Sequence, residues 1–290
     1  MASRIVQSFR ADSAPTGAEF GELTVAVSGG VLGYREVGSH ARTIVLLHGI
    51  SSGAGSWSEC ARMMAPHARV IAWDAPGYGQ SSPLDKAAPS ATDYARRLHE
   101  LLEALDAEKC LLVGHSLGAL MAAAYSELPN NRAEAYVLMS PALGYQGARS
   151  AQASRVREGR LNALKELGIE GIARNLPNRL LTEQAEDSAR DTVRNNALRL
   201  QPAGYTQAVE LLCGDDIDRF EPPKDRTLVY CGDSDIVTTP EQSAQYAQRH
   251  GFPFALIPQA GHACYVEQPH EVARILLEAA ASIDVQGTST

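Results

Sequence analysis

The segment Leu111-Leu112-Val113-Gly114-His115-Ser116-Leu117-Gly118 constrains this chain more than any other, because an apolar run enters Gly-x-Ser-x-Gly and continues into the helical run Ala119 to Leu128. A serine on a sharp strand-to-helix turn holds its hydroxyl clear of the backbone, and the flanking glycines relieve the crowding there. The start of the following helix favours negative charge developing beside it. The bare pattern recurs by chance in many proteins; the strand before it and the helix after it give it weight. Ser116 is therefore the first candidate nucleophile.

The first half of the chain alternates short apolar runs with helical patterns, the sequence form of a mostly parallel sheet flanked by helices. The stretches Glu22 to Val27 and Val31 to Val37 read as a hairpin about Ser28-Gly29-Gly30. Thr43 to Leu47, Arg69 to Trp73, Lys109 to Val113 and Ala135 to Met139 read as buried strands. Ala91 to Leu105 reads as a helix with Thr92 as its N-cap and one apolar face. The rhythm stops after Leu143 and resumes at Thr227 to Tyr230, followed by a helix from Pro240, a strand at Phe254 to Ile257 and a closing helix from Pro269 to about Ile283.

Between Gly144 and Pro223 the pattern is helical, as in Val156 to Leu167 and Ser188 to Leu198, with no convincing strand. The expected organisation is a core at 1–143, a helical cap at 144–223 inserted after the sixth strand, and the rest of the core at 224–290. Such a cap would cover the carboxyl ends of the strands, where open α/β sheets bind ligands.

With 290 residues, 44% hydrophobic and 21% charged, the chain is long enough for one large α/β domain carrying an insertion. A formal charge of -8 opposes binding to a phosphate backbone, so nucleic acid is not an expected partner. Met1 to Gly17 lacks the apolar core of a secretory signal, and no stretch is apolar enough to span a bilayer. Five widely spaced cysteines fit reduced thiols and a cytoplasmic location better than a disulfide framework.

Four further motifs surround the serine in the sequence. Thr43-Ile44-Val45-Leu46-Leu47-His48-Gly49-Ile50 runs from a strand into a His-Gly turn, and Asp74-Ala75-Pro76-Gly77-Tyr78-Gly79-Gln80-Ser81 follows the next strand. Gln259-Ala260-Gly261-His262 follows the last strand and leads to Val266-Glu267-Gln268-Pro269. Cys231-Gly232-Asp233-Ser234-Asp235 offers two carboxylates after one strand, and the residues alone leave the choice between Asp233 and Asp235 open.

With these landmarks in the order serine, acid, histidine, the chain from Glu22 onward resembles the α/β-hydrolase superfamily of capped serine hydrolases, both carboxylesterase/lactonase-like enzymes and hydrolases of meta-cleavage products. The resemblance implies an α/β-hydrolase fold, with Ser116 as nucleophile, His262 as base and Asp235 as the acid that orients it. The acid falls on Asp235 because the family places it three residues after the glycine and shortly before a segment like Val237-Thr238-Thr239-Pro240. Asp233 would then brace the loop. The amides of Ile50 and Leu117 would form the oxyanion hole, and Asp74 would be architectural.

The implied mechanism is attack of Ser116 on a carbonyl, proton uptake by His262, and release of the acyl enzyme by water. No cofactor or metal is expected, since neither H-E-x-x-H nor a phosphate-binding glycine loop occurs. The expected partner is a small-molecule substrate, with no membrane, and a homodimer stays open. Trp57, Leu143 and Tyr145 are expected to line the substrate pocket, together with Met63, Leu161, Leu180 and Tyr205.

An ester or lactone of a small to medium molecule is the leading substrate class. Dehalogenases and epoxide hydrolases carry Asp at the elbow, where this chain has serine. A carbon–carbon bond hydrolase of aromatic degradation is the second reading; those relatives usually show G-N-S-x-G-G, whereas His115 and Ala119 stand here. A non-catalytic small-ligand receptor on the same scaffold is the third.

Overall fold

The computed structural model describes residues 19–287; the expectation for Met1 to Gly17 lies outside them. Its centre is β5 (Cys110–His115), all six residues of which are buried. It pairs in parallel with β3 (Thr43–Leu47) on one side and β6 (Ala133–Met139) on the other. Leu111 and Val113 pack with Ile44 and Leu46 on one face, while Leu112 packs with Val45 and Leu47 on the other. Burial on both faces is why these strands read as unbroken apolar runs.

The eight-stranded sheet has the order β1-β2-β4-β3-β5-β6-β7-β8, with β1 (Glu22–Val27), β2 (Gly30–Val37), β4 (Arg69–Trp73), β7 (Thr227–Gly232) and β8 (Phe254–Ile257). The β1/β2 and β2/β4 pairs are antiparallel and the others parallel. Helices α1 (Ser58–Met64) and α8 (Pro269–Gly287) cover one face; α2 (Ala91–Ala104), α3 (Leu117–Tyr125) and α7 (Pro240–His250) cover the other. Among the described residues no helix is long and apolar enough to cross a membrane.

The sequence expectations miss at element ends. The N-cap of α2 is Ser90, not Thr92. Ser90 has extended backbone angles and accepts from the Asp93 N–H at 3.3 Å, while the Asp93 carboxylate accepts from the Ser90 N–H at 2.9 Å. That reciprocal pair satisfies two helix-start donors, which Thr92 inside the first turn cannot do. β5 extends through Gly114 and His115, which pair with Leu138 and Met139. Neither residue signals a strand by type, yet the backbone ladder continues until the turn at Ser116.

Between β6 and β7 lie α4 (Ala153–Leu180), α5 (Asp187–Ala197) and α6 (Pro202–Gly214). α4 is two helical arms joined at Gly168, whose φ of 64° and ψ of -177° are open only to glycine. An isolated bridge from Gly144 to Asp216 joins the two ends of this segment, and one from Tyr78 to Leu200 ties it to the loop after β4.

Candidate active site

Ser116 stands between β5 and α3 with φ 54° and ψ -117°, outside the regions that ordinary residues prefer. The turn is clamped: the Ser116 N–H donates to Met139 O at 2.9 Å, and its carbonyl accepts from Ala119 and Ala142 at 3.0 and 3.1 Å. Gly118 brings α3 so close to β3 that a Cβ there would lie 2.5 Å from Leu47 O. Leu117 opens the helix, so its N–H belongs to the amides without an acceptor inside the helix.

The neighbouring turn after β3 is held by a neutral histidine. His48 Nε2 accepts from the Ala75 N–H at 3.0 Å, which leaves Nδ1–H to donate to Gly49 O at 2.8 Å. Burial also lowers the His48 pKa. The Tyr78 hydroxyl donates to Ile50 O at 2.7 Å, and no hydrogen bond of the Ile50 N–H is found among the described residues. Asp74 accepts from the Ala54 N–H at 2.8 Å and its carbonyl from Ser81 Oγ at 2.6 Å, a bracing position for both loops.

His262 and Asp235 meet across loops that leave β8 and β7. His262 Nδ1 lies 2.8 Å from Asp235 Oδ2, and both side chains are buried. Asp235 Oδ1 accepts from the Val237 and Thr238 amides at 2.7 and 3.0 Å. Burial alone would raise this carboxyl, but the charge and hydrogen bond of His262 and those two amides outweigh it and hold Asp235 well below its usual range. Thr238 Oγ1, which sequence reasoning did not single out, lies 3.1 Å from Asp235 Oδ2, 3.2 Å from His262 Nδ1 and 2.9 Å from Ser140 O.

The other carboxylate is placed differently. Asp233 is exposed and accepts from the Gln259 and Ala260 amides at 2.9 and 3.3 Å and from Ser234 Oγ at 2.9 Å. It secures the exit of β8, and no hydrogen bond joins it to His262.

His115 packs behind the site, its Nε2–H donating to His262 O at 2.7 Å while Nδ1 has no partner. Burial, then the adjacent His262, pulls its pKa down to about 3. Unfolded, a histidine titrates near 6.5, so the unfolded chain takes up a proton below about that pH which the folded chain refuses until about 3. This contribution to stability is complete above pH ~6.5 and is lost as pH falls. His115→Asn, which keeps a donor toward His262 O, should flatten the fall of unfolding free energy between those values by up to about 1.4 kcal/mol per pH unit. Chemical denaturation at several pH values measures it; an unchanged slope refutes the account.

Ser116 and His262 face one cavity, also lined by Gly49, Ile50, Ser51 and Tyr265, with Arg160, Leu176, Arg179, Leu180 and Val193 contributed from between β6 and β7. Of the residues expected at the pocket, Leu180 lines this cavity, and Tyr145 and Tyr205 line an adjoining one. Trp57 is not at the wall: it is fully buried and stacked on Tyr265 with ring centroids 3.8 Å apart, and the tyrosine, also buried, lines the cavity in its stead. Leu143 packs on the core and Met63 borders a separate surface crevice, while Leu161 also packs on the core. Tyr265, three residues after His262, was missed by the sequence reading.

The carboxyl end of α4 and the histidine loop are joined directly. Leu180 O accepts from the Ala263 N–H at 2.9 Å. Glu267 accepts from the Thr182 N–H and hydroxyl at 2.8 and 2.6 Å through one oxygen and from the Gly261 N–H at 2.7 Å through the other. All five cysteines are buried and free, and among the described residues no three His, Cys, Asp or Glu side chains gather as a metal cage.

Comparison with known proteins agrees with this architecture. A putative 2-succinyl-6-hydroxy-2,4-cyclohexadiene-1-carboxylate synthase of Bacillus subtilis is 26% identical over 278 residues, covering 91% of this chain and all of that protein. A 2-hydroxy-6-oxononadienedioate/2-hydroxy-6-oxononatrienedioate hydrolase of Dechloromonas aromatica is 32% identical over 117 residues, 39% of this chain and 40% of that one. Among solved structures, an esterase from Thermogutta terrifontis superposes with a TM-score of 0.78 at 21% identity, covering 91% of this chain and 99% of that one. An enol-lactonase from Burkholderia xenovorans LB400 gives 0.76 at 21% identity, with 89% and 100% covered. The sequence profile of the alpha/beta hydrolase family matches residues 44–275, and the chain belongs to that family.

Proposed function

We propose that this protein hydrolyses a carboxylic ester or lactone of a small to medium molecule through an acyl-enzyme on Ser116. His262 takes the serine proton, Asp235 orients and stabilises the imidazolium, and the Ile50 and Leu117 amides receive the oxyanion. The observation that carries the reading is the 2.8 Å contact of His262 with a buried, ionised Asp235, at a cavity that His262 shares with Ser116. In this reading residues 144–223 act as a helical cap whose side chains select the substrate.

Carbon–carbon bond hydrolysis is the second reading, supported by the identity with the D. aromatica dienedioate hydrolase in the part of the chain it matches. The same serine and histidine would serve either reaction, so the substrate decides. Turnover of p-nitrophenyl acetate and butyrate, set beside a vinylogous diketone of the meta-cleavage type, separates them. Ester turnover at least a hundredfold faster in kcat/KM supports the first reading, and the reverse ratio overturns it. No turnover of either would leave a binding protein on a hydrolase scaffold.

A further inference from the structure

The two arms of α4 enclose a second cavity beside the serine site. Its wall includes Val156, Gly159, Arg160 and Ala163 from the first arm and Ile172, Asn175, Leu176 and Arg179 from the second. Each set has helical spacing, so these are the facing inner stripes of the two arms. Ser51, Arg160, Leu176 and Arg179 border both cavities and form the passage between them.

The charge at that passage is unbalanced. No Asp or Glu lines either cavity among the described residues, although the chain as a whole carries a formal charge of -8. Arg160 has a 3.3 Å hydrogen bond to the Tyr205 hydroxyl, which neutralises nothing. No ion pair or hydrogen bond of Arg179 is found among the described residues. By contrast Arg157, on another face of the same arm, pairs with Glu210 at 2.9 Å. Arg160 is half-buried and Arg179 is exposed at the mouth of this space; burial and then the nearby Arg160 lower the Arg179 pKa, so the two guanidiniums repel one another. Two converging guanidiniums without a protein counter-ion suit one kind of occupant, a planar anion that takes paired N–H donors.

We infer that Arg160 and Arg179 form a carboxylate-binding subsite, and that the preferred substrate carries a free carboxylate on the chain extending from its scissile carbonyl into the cavity between the arms of α4. This rests on the hydrolase reading above for the position of the scissile carbonyl, but not for the anion site itself. The aliphatic Leu176, which borders both cavities beside the arginines, fits a short hydrocarbon spacer.

The test compares p-nitrophenyl monoadipate with p-nitrophenyl hexanoate, which lacks the terminal carboxylate. The wild-type kcat/KM should favour the monoadipate by about tenfold to a hundredfold, as one or two hydrogen bonds to a charged group provide. R160Q and R179Q should each lose part of that ratio, and R160Q/R179Q all of it. R160K and R179K keep the charge without the fork and should lie between. R96Q, on the exposed face of α2, should leave the ratio as it is.

Binding is read separately, by calorimetric titration of adipate into Ser116→Ala with and without R160Q/R179Q, using 1,6-hexanediol as the uncharged control. Adipate should bind only where both arginines are present. Equal turnover of the two esters in wild type overturns the carboxylate subsite and leaves the hydrolase reading standing. Arginine-dependent adipate binding in a protein that turns over neither ester overturns hydrolysis and leaves the subsite. Tenfold tighter competition by hexyl phosphate than by adipate would assign the arginines to phosphate and overturn the carboxylate.

Discussion

Ser116→Ala is expected to lower kcat/KM on a p-nitrophenyl ester by about a millionfold, the scale seen when a triad serine is removed from an unrelated protease. The loss is chemical. The backbone that presents Ser116 is held by its N–H to Met139 O and by its carbonyl to Ala119 and Ala142, none of which uses the hydroxyl. Among the described residues no hydrogen bond of the Ser116 hydroxyl is found, and alanine at this position removes only one oxygen from a cavity wall. The melting temperature should therefore stay within a few degrees of wild type, consistent with surface-type changes of about 0.5 kcal/mol. Wild type should also release a burst of p-nitrophenol equal to the enzyme concentration when deacylation is slow, and the variant none. Activity within tenfold of wild type would remove Ser116 from the mechanism and, with it, the proposed reaction.

Asp235→Asn should cost about 10⁴-fold in kcat, with KM little changed, by analogy with the same substitution in a serine protease triad. Asn keeps the volume and can keep the Val237 and Thr238 amide bonds at its oxygen, since both go to Oδ1. The atom that replaces Oδ2 then faces His262 Nδ1 as an N–H donor. Nδ1 can accept that hydrogen only by giving up its own proton to the other ring nitrogen, the tautomer that cannot take a proton from serine. The lost charge adds to this, because Asp235 is the carboxylate bonded to the imidazole. Asp233→Asn should by contrast keep kcat within severalfold and cost on the order of 1 kcal/mol of stability, the scale of a loop carboxylate that caps backbone amides. The pair is decisive when measured together: a dead Asp233→Asn beside an active Asp235→Asn would reverse the assignment.

What was legible in the sequence follows from what is local. The β5–Ser116–α3 turn shows in a dozen residues because apolar run, glycines, serine and helix are contiguous. The four strands read as buried, or their apolar centres, were visible for the same reason: burial on both faces leaves no polar alternation to misread. Boundaries were not, since Gly114 and His115 enter the ladder through backbone atoms that residue type does not report. Thr92 was chosen as a cap although Ser90, two residues earlier, has Asp93 at the right distance for the reciprocal bond.

The site was less legible wherever it is built across long separations. Asp235 and His262 are 27 residues apart in sequence, and only their place in a known pattern brought them together. The pocket wall was the weakest part. Trp57 and Tyr265 stack on each other, and which ring meets the cavity depends on packing that spacing does not encode. Arg160 and Arg179 were passed over because charged residues at helical spacing usually mark a solvated face. Their meeting at one cavity depends on the break at Gly168, which folds one arm of α4 against the other.

The bonds that fasten Leu180 and Thr182 to Ala263, Gly261 and Glu267 make the roof and the base parts of one joint. A lineage that widened the chamber by altering this end of α4 would also displace the loop carrying His262, and would lose rate before gaining a new ligand. Drift in ligand choice is cheapest elsewhere, in the arm before Gly168 and in α5, which reach the cavity without a hydrogen bond to the histidine loop among the described residues. Randomised libraries confined to those two segments should therefore yield more active clones with altered preference than libraries of equal size at residues 180–182.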